Sequence, residues 1–205
     1  MSLAAKAFGV PLVGNLHLQS TSSRFAKHYG VTRELDWDRM DSSDVVELLD
    51  FLERNGLEVH VDGGWAVDAL LGKQTRDHDD LDVAIPHSQV PLLRRLMATR
   101  GFHERPQGDS SECNFVLADA GDRRLDVHSY TLDAAGKNVS GVPYAAEHLT
   151  GTGAIGGRPV HCIDPAWLVK FHAGYEVDER DYQDVRLLCE RFGLPLPGHY
   201  SKFSR

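Results

Sequence analysis

The sequence predicts a mixed α/β (α+β) domain: a mixed central sheet of about five strands, flanked by helices, with one helix ahead of it and a helical pair behind it. Apolar residues recur at three-to-four spacing in two stretches, the period of a helix with one buried face. Between and after them lie short runs that alternate apolar and polar residues, the period of a half-buried strand. The chain has 205 residues, 41% hydrophobic and 25% charged. That is ordinary globular usage and enough for one domain with a small helical lobe.

Residues 1–40 show no usable period and form an N-terminal extension of unassigned role, which could cover a pocket or order a homodimer. A helix is expected from Asp41 to Gly56, with Val45, Leu48, Leu49 and Leu52 as its stripe and Asp41, Ser42 or Ser43 as its cap. A strand over Leu57–Asp62 is broken by Gly63-Gly64, and a short helix follows from Trp65 to Leu71. Asp80–Ile85 reads as a strand stopped by Pro86, and Ser88–Arg100 as a helix with Val90, Leu93, Leu96 and Met97 inward. Cys113–Ala118 and Arg123–Tyr130 read as strands joined by a hairpin loop. Residues 133–153 are Gly-rich and read as loop, and Ile155–Ile163 as a hairpin turning at Gly156-Gly157. Asp164-Pro165 starts a helix through Tyr175, and Asp178–Phe192 forms the last one. The core domain is thus placed at 41–163 and a helical segment packed on it at 164–205.

Composition narrows the function. The net charge of −8 argues against a duplex nucleic acid partner. Three scattered cysteines and no C-x-x-C argue against a disulfide framework or a cysteine-rich zinc site, so a reducing, cytoplasmic setting is the expectation. No apolar run is long enough to span a membrane.

The chemistry concentrates between Val61 and Pro86. Asp80 and Asp82 alternate with core-facing Leu81, Val83 and Ile85, so both carboxylates leave one face of a strand. Alone, such a pair is most often a solvated strand face. A divalent cation is what would neutralise two adjacent carboxylates, and Mg2+ takes carboxylates together with phosphate oxygens. Gly63-Gly64 ends a strand and opens a helix, where bare backbone N–H groups can approach a phosphate.

Together these residues resemble the nucleotidyltransferase pattern of the DNA polymerase β-like superfamily, although the 15 residues from Trp65 to Asp79 are a long spacing for it. Asp62-Gly-Gly-Trp-Ala-Val-Asp-Ala-Leu-Leu-Gly72, Thr75-Arg76 and His78-Asp79-Asp80-Leu81-Asp82 resemble the antibiotic nucleotidyltransferases of the lincosamide and aminoglycoside 2''-adenylyltransferase type. Leu168–Tyr175 and Arg180–Val185 resemble the C-terminal helices of the lincosamide enzymes, so the likeness runs from Leu57 to Phe192.

The resemblance implies a polymerase β-like fold and a third carboxylate on a neighbouring strand. Asp126 in Arg123-Arg-Leu-Asp-Val-His-Ser-Tyr130 fills that place, with His128 and Tyr130 on its face as substrate-side residues. Asp80, Asp82 and Asp126 would hold Mg2+, and Asp126 would act as general base, metal ligand or both. Gly63, Gly64, Arg76 and Lys170 would contact the nucleotide, with Lys73 a weaker candidate. Asp181 and Asp184 read as helix-supporting residues, with a cationic acceptor pocket as the other reading.

The implied reaction moves a nucleoside monophosphate, AMP from ATP, onto a hydroxyl of a small antibiotic and releases pyrophosphate. The competing readings are a protein or RNA acceptor, as in toxin–antitoxin nucleotidyltransferases, and a nucleotide-binding module without turnover. Gly151-x-Gly153-x-x-Gly156 matches a dinucleotide fingerprint literally, but Gly157-Arg158-Pro159 follows it instead of a helix, so it is set aside.

Overall fold

The computed structural model describes residues 40–172 and 177–203, all within one unit spanning Asp36–Arg205. Helix α1 covers Ser42–Arg54, and Val45, Leu48, Leu49 and Leu52 are buried as the stripe predicts. Asp41 caps it, accepting from the Ser43 and Asp44 N–H groups at 2.9 and 3.0 Å, an arrangement usually worth about 1 kcal/mol. Strand β1 is only His60–Val61, although Leu57 and Val59 ahead of it are buried too. Helix α2, Gly63–Leu71, begins at the glycine pair itself rather than at Trp65, because Asp62 serves as its N-cap. It ends at Gly72 in the left-handed conformation, φ 70°.

Strand β2 is Asp80–Pro86. A 3-10 turn at His87–Gln89 leads into α3, Val90–Thr99. Strands β3 (His103–Arg105), β4 (Asn114–Ala118), β5 (Arg124–Leu132), β6 (Asn138–Gly141), β7 (Gly151–Ile155) and β8 (Arg158–Cys162) follow, then α4 (Pro165–Phe171) and α5 (Glu179–Phe192). The sheet runs β3-β4-β5-β2-β1-β8-β7, with β6 on β5. Strand β2 lies parallel to β5 and antiparallel to β1, which is itself parallel to β8. Leu81, Val83, Ile85, Leu125 and Val127 are fully buried along the central pair.

The described sheet therefore has eight strands where about five were expected. Strand β3 is three exposed residues without apolar alternation, so nothing in the pattern marks it. The stretch 133–153, expected as loop, contains β6, a 3-10 turn at Ala146–Leu149 and the start of β7. Glycine hides β7 because β7 packs against the backbone of α2. A Cβ at Gly153 would lie 2.3 Å from the Ala69 carbonyl oxygen, and one at Gly151 would lie 2.4 Å from that of Ile163. The G-x-G-x-x-G match is thus a close-packed strand and its turn, as the sequence context indicates. The expected helix through Tyr175 is seen to Phe171, and 173–176 lie outside the described residues. Of the 1–40 extension only Met40 is described. It is buried, and its N–H donates to the His78 carbonyl at 3.1 Å.

Candidate active site

Parallel pairing of β2 with β5 sets Asp82 directly beside Asp126, and Asp80 beside Arg124. Adjacent strands lie ~4.8 Å apart and side chains two residues apart share a face, so the three carboxylates gather on one side of the sheet. The Asp62 N–H donates to the Asp82 carbonyl at 2.9 Å, bringing the end of β1 and the start of α2 against the same spot. Asp62, Gly63, Asp82, His128, Tyr144 and Phe171 line a cavity of about 510 Å³ there.

Both glycines are needed for this closeness. Gly63 has φ +56° and a Cβ on it would lie 2.1 Å from Asp82 Oδ2. A Cβ on Gly64 would lie 2.5 Å from His78 Nδ1 and 2.6 Å from Arg76 Nη2. The imidazole of His78 is fixed in that place by a buried network. Its Nε2 is 2.5 Å from Asp68 Oδ2 and its ring lies 4.5 Å from that of Trp65. Asp68 Oδ1 accepts from the Thr75 N–H and hydroxyl at 2.9 and 2.6 Å. The segment Thr75–His78 is thereby tied to α2 just before the β2 carboxylates.

Charge is concentrated here, with Asp62, Asp82 and His128 on the lining of this cavity and Asp80 and Asp126 on that of a smaller one of about 240 Å³, Asn114 lining both. Burial, reinforced by the Asp80 charge, pushes the Asp82 carboxyl well above the usual carboxylate range. Burial and Asp79 raise Asp80. Burial also raises Asp126, against the opposing pull of His128. His128 lies between two acids, with Nε2 3.6 Å from Asp126 Oδ1 and Nδ1 3.8 Å from Asp62 Oδ2. Burial alone would lower its pKa, but Asp62, Asp82 and Asp126 outweigh that and hold it at about 9. The Tyr144 hydroxyl donates to Asp62 Oδ2 and lies 3.3 Å from His128 Nδ1. Asp62 stays below the usual range despite its burial because of His128 and Tyr144.

The two carboxylates of the cluster suit a hard cation, with His128 beside them as a counter-charge. Asp82, Asp126 and His128 each offer a ligand atom within 4.8 Å of the others. Asp126 Oδ1 is buried without a hydrogen-bond partner, which is an oxygen ready for a metal.

Of the residues expected from sequence, the structure brings together Gly63, Asp80, Asp82, Asp126 and His128, with Gly64 one residue on. Three others have surroundings different from those expected, although Arg76 Nη2 stays beside Gly64. Arg76 donates from Nε and Nη2 to Asp184 Oδ2 at 3.1 and 2.8 Å. Asp184 is 2% exposed, so this guanidinium compensates a buried charge on α5. Lys170 is exposed, with Nζ 3.6 Å from the Trp167 ring centroid. Tyr130 is buried and lines a different cavity. Sequence reasoning missed Asp62 and Tyr144 as site residues. Asp62 had a signal, being a capping-type residue directly before the glycine pair. Tyr144 lies in a stretch with no period and had none.

A family model described as aminoglycoside-2''-adenylyltransferase matches residues 44–188. A 2''-aminoglycoside nucleotidyltransferase of Klebsiella pneumoniae is 29% identical over 164 residues, covering 75% of this chain and 90% of its own. A lincosamide resistance protein of Staphylococcus haemolyticus is 25% identical over 146 residues, covering 69% of this chain and 89% of its own. Among solved structures, the lincomycin-bound lincosamide adenylyltransferase LnuA superposes with TM-score 0.64 at 23% identity, covering 73% of this chain and 97% of that one. ANT(2'')-Ia in complex with adenylyl-2''-tobramycin gives TM-score 0.60 at 22% identity, covering 74% and 89%. These two show the fold, which is that of polymerase β-like nucleotidyltransferases. Among the described residues no helix is long and apolar enough to cross a membrane. The match over 44–188 makes this chain an enzyme of the nucleotidyltransferase class, and it belongs to the aminoglycoside-2''-adenylyltransferase family of antibiotic-resistance enzymes.

Proposed function

We propose that the protein transfers AMP from ATP to a hydroxyl of an aminoglycoside or lincosamide antibiotic, releasing pyrophosphate. The observation that carries this reading is the register Asp82↔Asp126 beside Gly63. It sets a carboxylate pair next to backbone that can approach a phosphate.

Asp80, Asp82 and Asp126 would hold Mg2+, which when bound neutralises the triphosphate and the developing charge at phosphorus. The chain's own groups do the rest. The start of α2 turns the positive end of the helix toward the phosphates, the Gly63 N–H itself being held by Asp62 Oδ1 at 2.8 Å. Asp126 takes the proton from the acceptor hydroxyl as that oxygen bonds to the α-phosphorus. The bond from the α-phosphorus to the bridging oxygen breaks, and that oxygen leaves on pyrophosphate. His128 holds the Asp126 carboxylate from one side, while Asp62 and Tyr144 fix the imidazole. Lys170, exposed and one residue before the cavity-lining Phe171, supplies positive charge for the triphosphate. Arg76 acts indirectly, by securing the Thr75–His78 segment on Asp184.

The test is mass spectrometry of the purified full chain with Mg2+, ATP and a panel of aminoglycosides and lincosamides, with Asp82→Ala in parallel. A drug that gains one adenylate only with the intact carboxylate establishes reaction and acceptor together. No adduct on any drug overturns the antibiotic acceptor.

A further inference from the structure

A second cavity of about 470 Å³ opens beyond the catalytic one on the same side of the sheet. Two strands run from one cavity to the other. On β1, Asp62 at its end lines the first cavity and His60 the second; on β5, His128 lines the first and Tyr130 the second. Each is a two-residue step, ~7 Å along a strand. A wall made by Tyr144 and Tyr130, in edge-to-face contact at 5.8 Å, divides them.

The second cavity holds two buried polar groups that make no close hydrogen bond, the Leu149 backbone being the polar neighbour of the His60 ring and Glu58 that of the Tyr130 hydroxyl. His60 is 8% and Tyr130 3% exposed, and neither His60 Nδ1 nor Tyr130 Oη has a close hydrogen-bond partner. Native proteins rarely leave such groups unsatisfied, because each costs the desolvation it never recovers. Glu58 stands at the same cavity as the charged group beside Tyr130. Burial keeps His60 on the neutral side of its usual range, so its ring is able to accept a proton bond. Leu132 and Leu149 supply an apolar wall. The His87 ring is already engaged, with Nδ1 2.9 Å from Ser129 Oγ.

We infer that this cavity binds a small molecule carrying a protonated amine on an apolar ring or chain. An ammonium has three donors and no acceptor, which matches a carboxylate, a phenol oxygen and an imidazole nitrogen lining one space. An anionic ligand would meet Glu58 with no cation at the cavity to answer it. A metal is the weaker fit, since the ligand atoms that converge within reach of one another among the described residues are those of Asp82, Asp126 and His128. The volume is that of a small-molecule site. The amine is either the far end of an acceptor reaching past the tyrosine wall or a separate ligand.

The experiment is a binding titration of the full chain, followed by calorimetry and by its histidine NMR signals, without ATP so that turnover plays no part. The probes are cyclohexylmethylamine and its neutral counterpart cyclohexylmethanol. The amine is expected to saturate at one equivalent, to move the His60 signal, and to bind ~10-fold more tightly than the alcohol, the scale of one charge-assisted contact. Glu58→Gln, a change at an exposed residue that keeps a hydrogen-bonding group beside Tyr130, should remove most of that preference, and Leu149→Trp should abolish binding by filling the space. Asp82→Asn in the catalytic cavity should leave binding intact. Equal affinity for the two probes, an unchanged Glu58→Gln protein, or loss of binding in Asp82→Asn would each overturn the assignment. Displacement of the bound amine by tobramycin assigns the site to the acceptor's far end; its retention supports a separate ligand. The readout is binding alone, so it stands or falls apart from the adenylyl-transfer reading.

Discussion

Gly63 and Asp82 approach so closely that a Cβ on the glycine would lie 2.1 Å from the carboxylate oxygen. The contact is between the start of a helix and the side chain of a strand, and Gly63 also has a positive φ of 56°. No other residue type fits both conditions without moving Asp82.

Gly63→Ala should therefore cost activity more than stability. The left-handed backbone costs a non-glycine residue ~1–2 kcal/mol, whereas displacing a carboxylate of the proposed metal site by about 1 Å can cost ~10²-fold in rate. Gly64→Ala should invert the balance. Its Cβ meets the His78 ring, which Asp68 holds, so the loss should appear chiefly as a lower Tm. Steady-state kinetics and thermal unfolding of the two variants separate these outcomes; equal kinetic damage with unchanged Tm in both would contradict the argument.

The acidic cluster carries its own signature. A carboxyl whose folded pKa lies above its unfolded value binds its proton more tightly when folded. Stability then rises as pH falls through the folded value, and at neutral pH the buried charge works against folding. Asp82 is such a group. Asp82→Asn should raise the metal-free Tm, by ~2–4 °C per kcal/mol recovered, while cutting activity roughly 10²–10³-fold, the scale of losing one preorganised electrostatic contact. Mg2+ should raise the Tm of the native chain by linkage and leave that of Asp82→Asn nearly unmoved. Differential scanning fluorimetry with Mg2+ and with EDTA measures both.

The Arg76–Asp184 pair joins the segment before β2 to α5. The chain separates these residues by 108 positions, yet Arg76 Nη2 lies 2.8 Å from Asp184 Oδ2. Arg76→Ala strands a buried carboxylate. Losing one partner of a fully buried pair costs ~3–5 kcal/mol; Arg76 is 26% exposed, so about 2–3 kcal/mol is expected from urea unfolding. Arg76→Leu with Asp184→Leu should recover most of it, because no orphan charge remains. A full loss in the double variant would mean the pair does something besides compensate charge.

Much of this site was legible before any coordinates, and the reason is periodicity. Asp80, Asp82, Asp126 and His128 alternate with Leu81, Val83, Leu125 and Val127, so their shared face follows from strand geometry alone. What could not be read was pairing across long separations. Nothing local to Arg76 points to Asp184, and nothing local to Tyr144 points to Asp62, because both contacts are made by tertiary packing. Strand β7 was unreadable for a different reason. Gly153 serves close approach to α2 and Gly151 close approach to the Ile163 backbone, and glycine weakens a strand signal.

The same glycines give a prediction that separates packing from catalysis. Gly153→Ala would set a Cβ 2.3 Å from the Ala69 carbonyl oxygen. Both partners are backbone, so neither can turn aside as a side chain would, and β7 must lift from α2. Overpacking of this kind costs ~1–3 kcal/mol or more, which should appear as a lower urea midpoint. A kcat change on top of it would mean the strain reaches Gly63 at the other end of α2, where Asp62 N–H holds the Asp82 backbone at 2.9 Å.

His148 gives the pH dependence. It is 7% exposed, and its Nδ1 accepts the Ala145 N–H at 3.1 Å. Burial lowers its pKa, outweighing the nearby Glu147. For a base whose folded pKa is lowered, stability is fully present above the unfolded value, about 6.5, and falls as pH drops from there toward the folded one. Protonation also takes away the lone pair that Ala145 uses. His148→Asn keeps an acceptor without the titration. It should be less stable at pH 7.5, since the His148 ring packs 4.0 Å from that of Trp167, yet it should lose less on going to pH 5.5 than the native chain does. Urea unfolding at the two pH values measures the difference of differences, in which the raised carboxylates of the catalytic cluster cancel. An equal or larger acid loss in His148→Asn would show that this imidazole takes up its proton as readily in the folded chain as in the unfolded one.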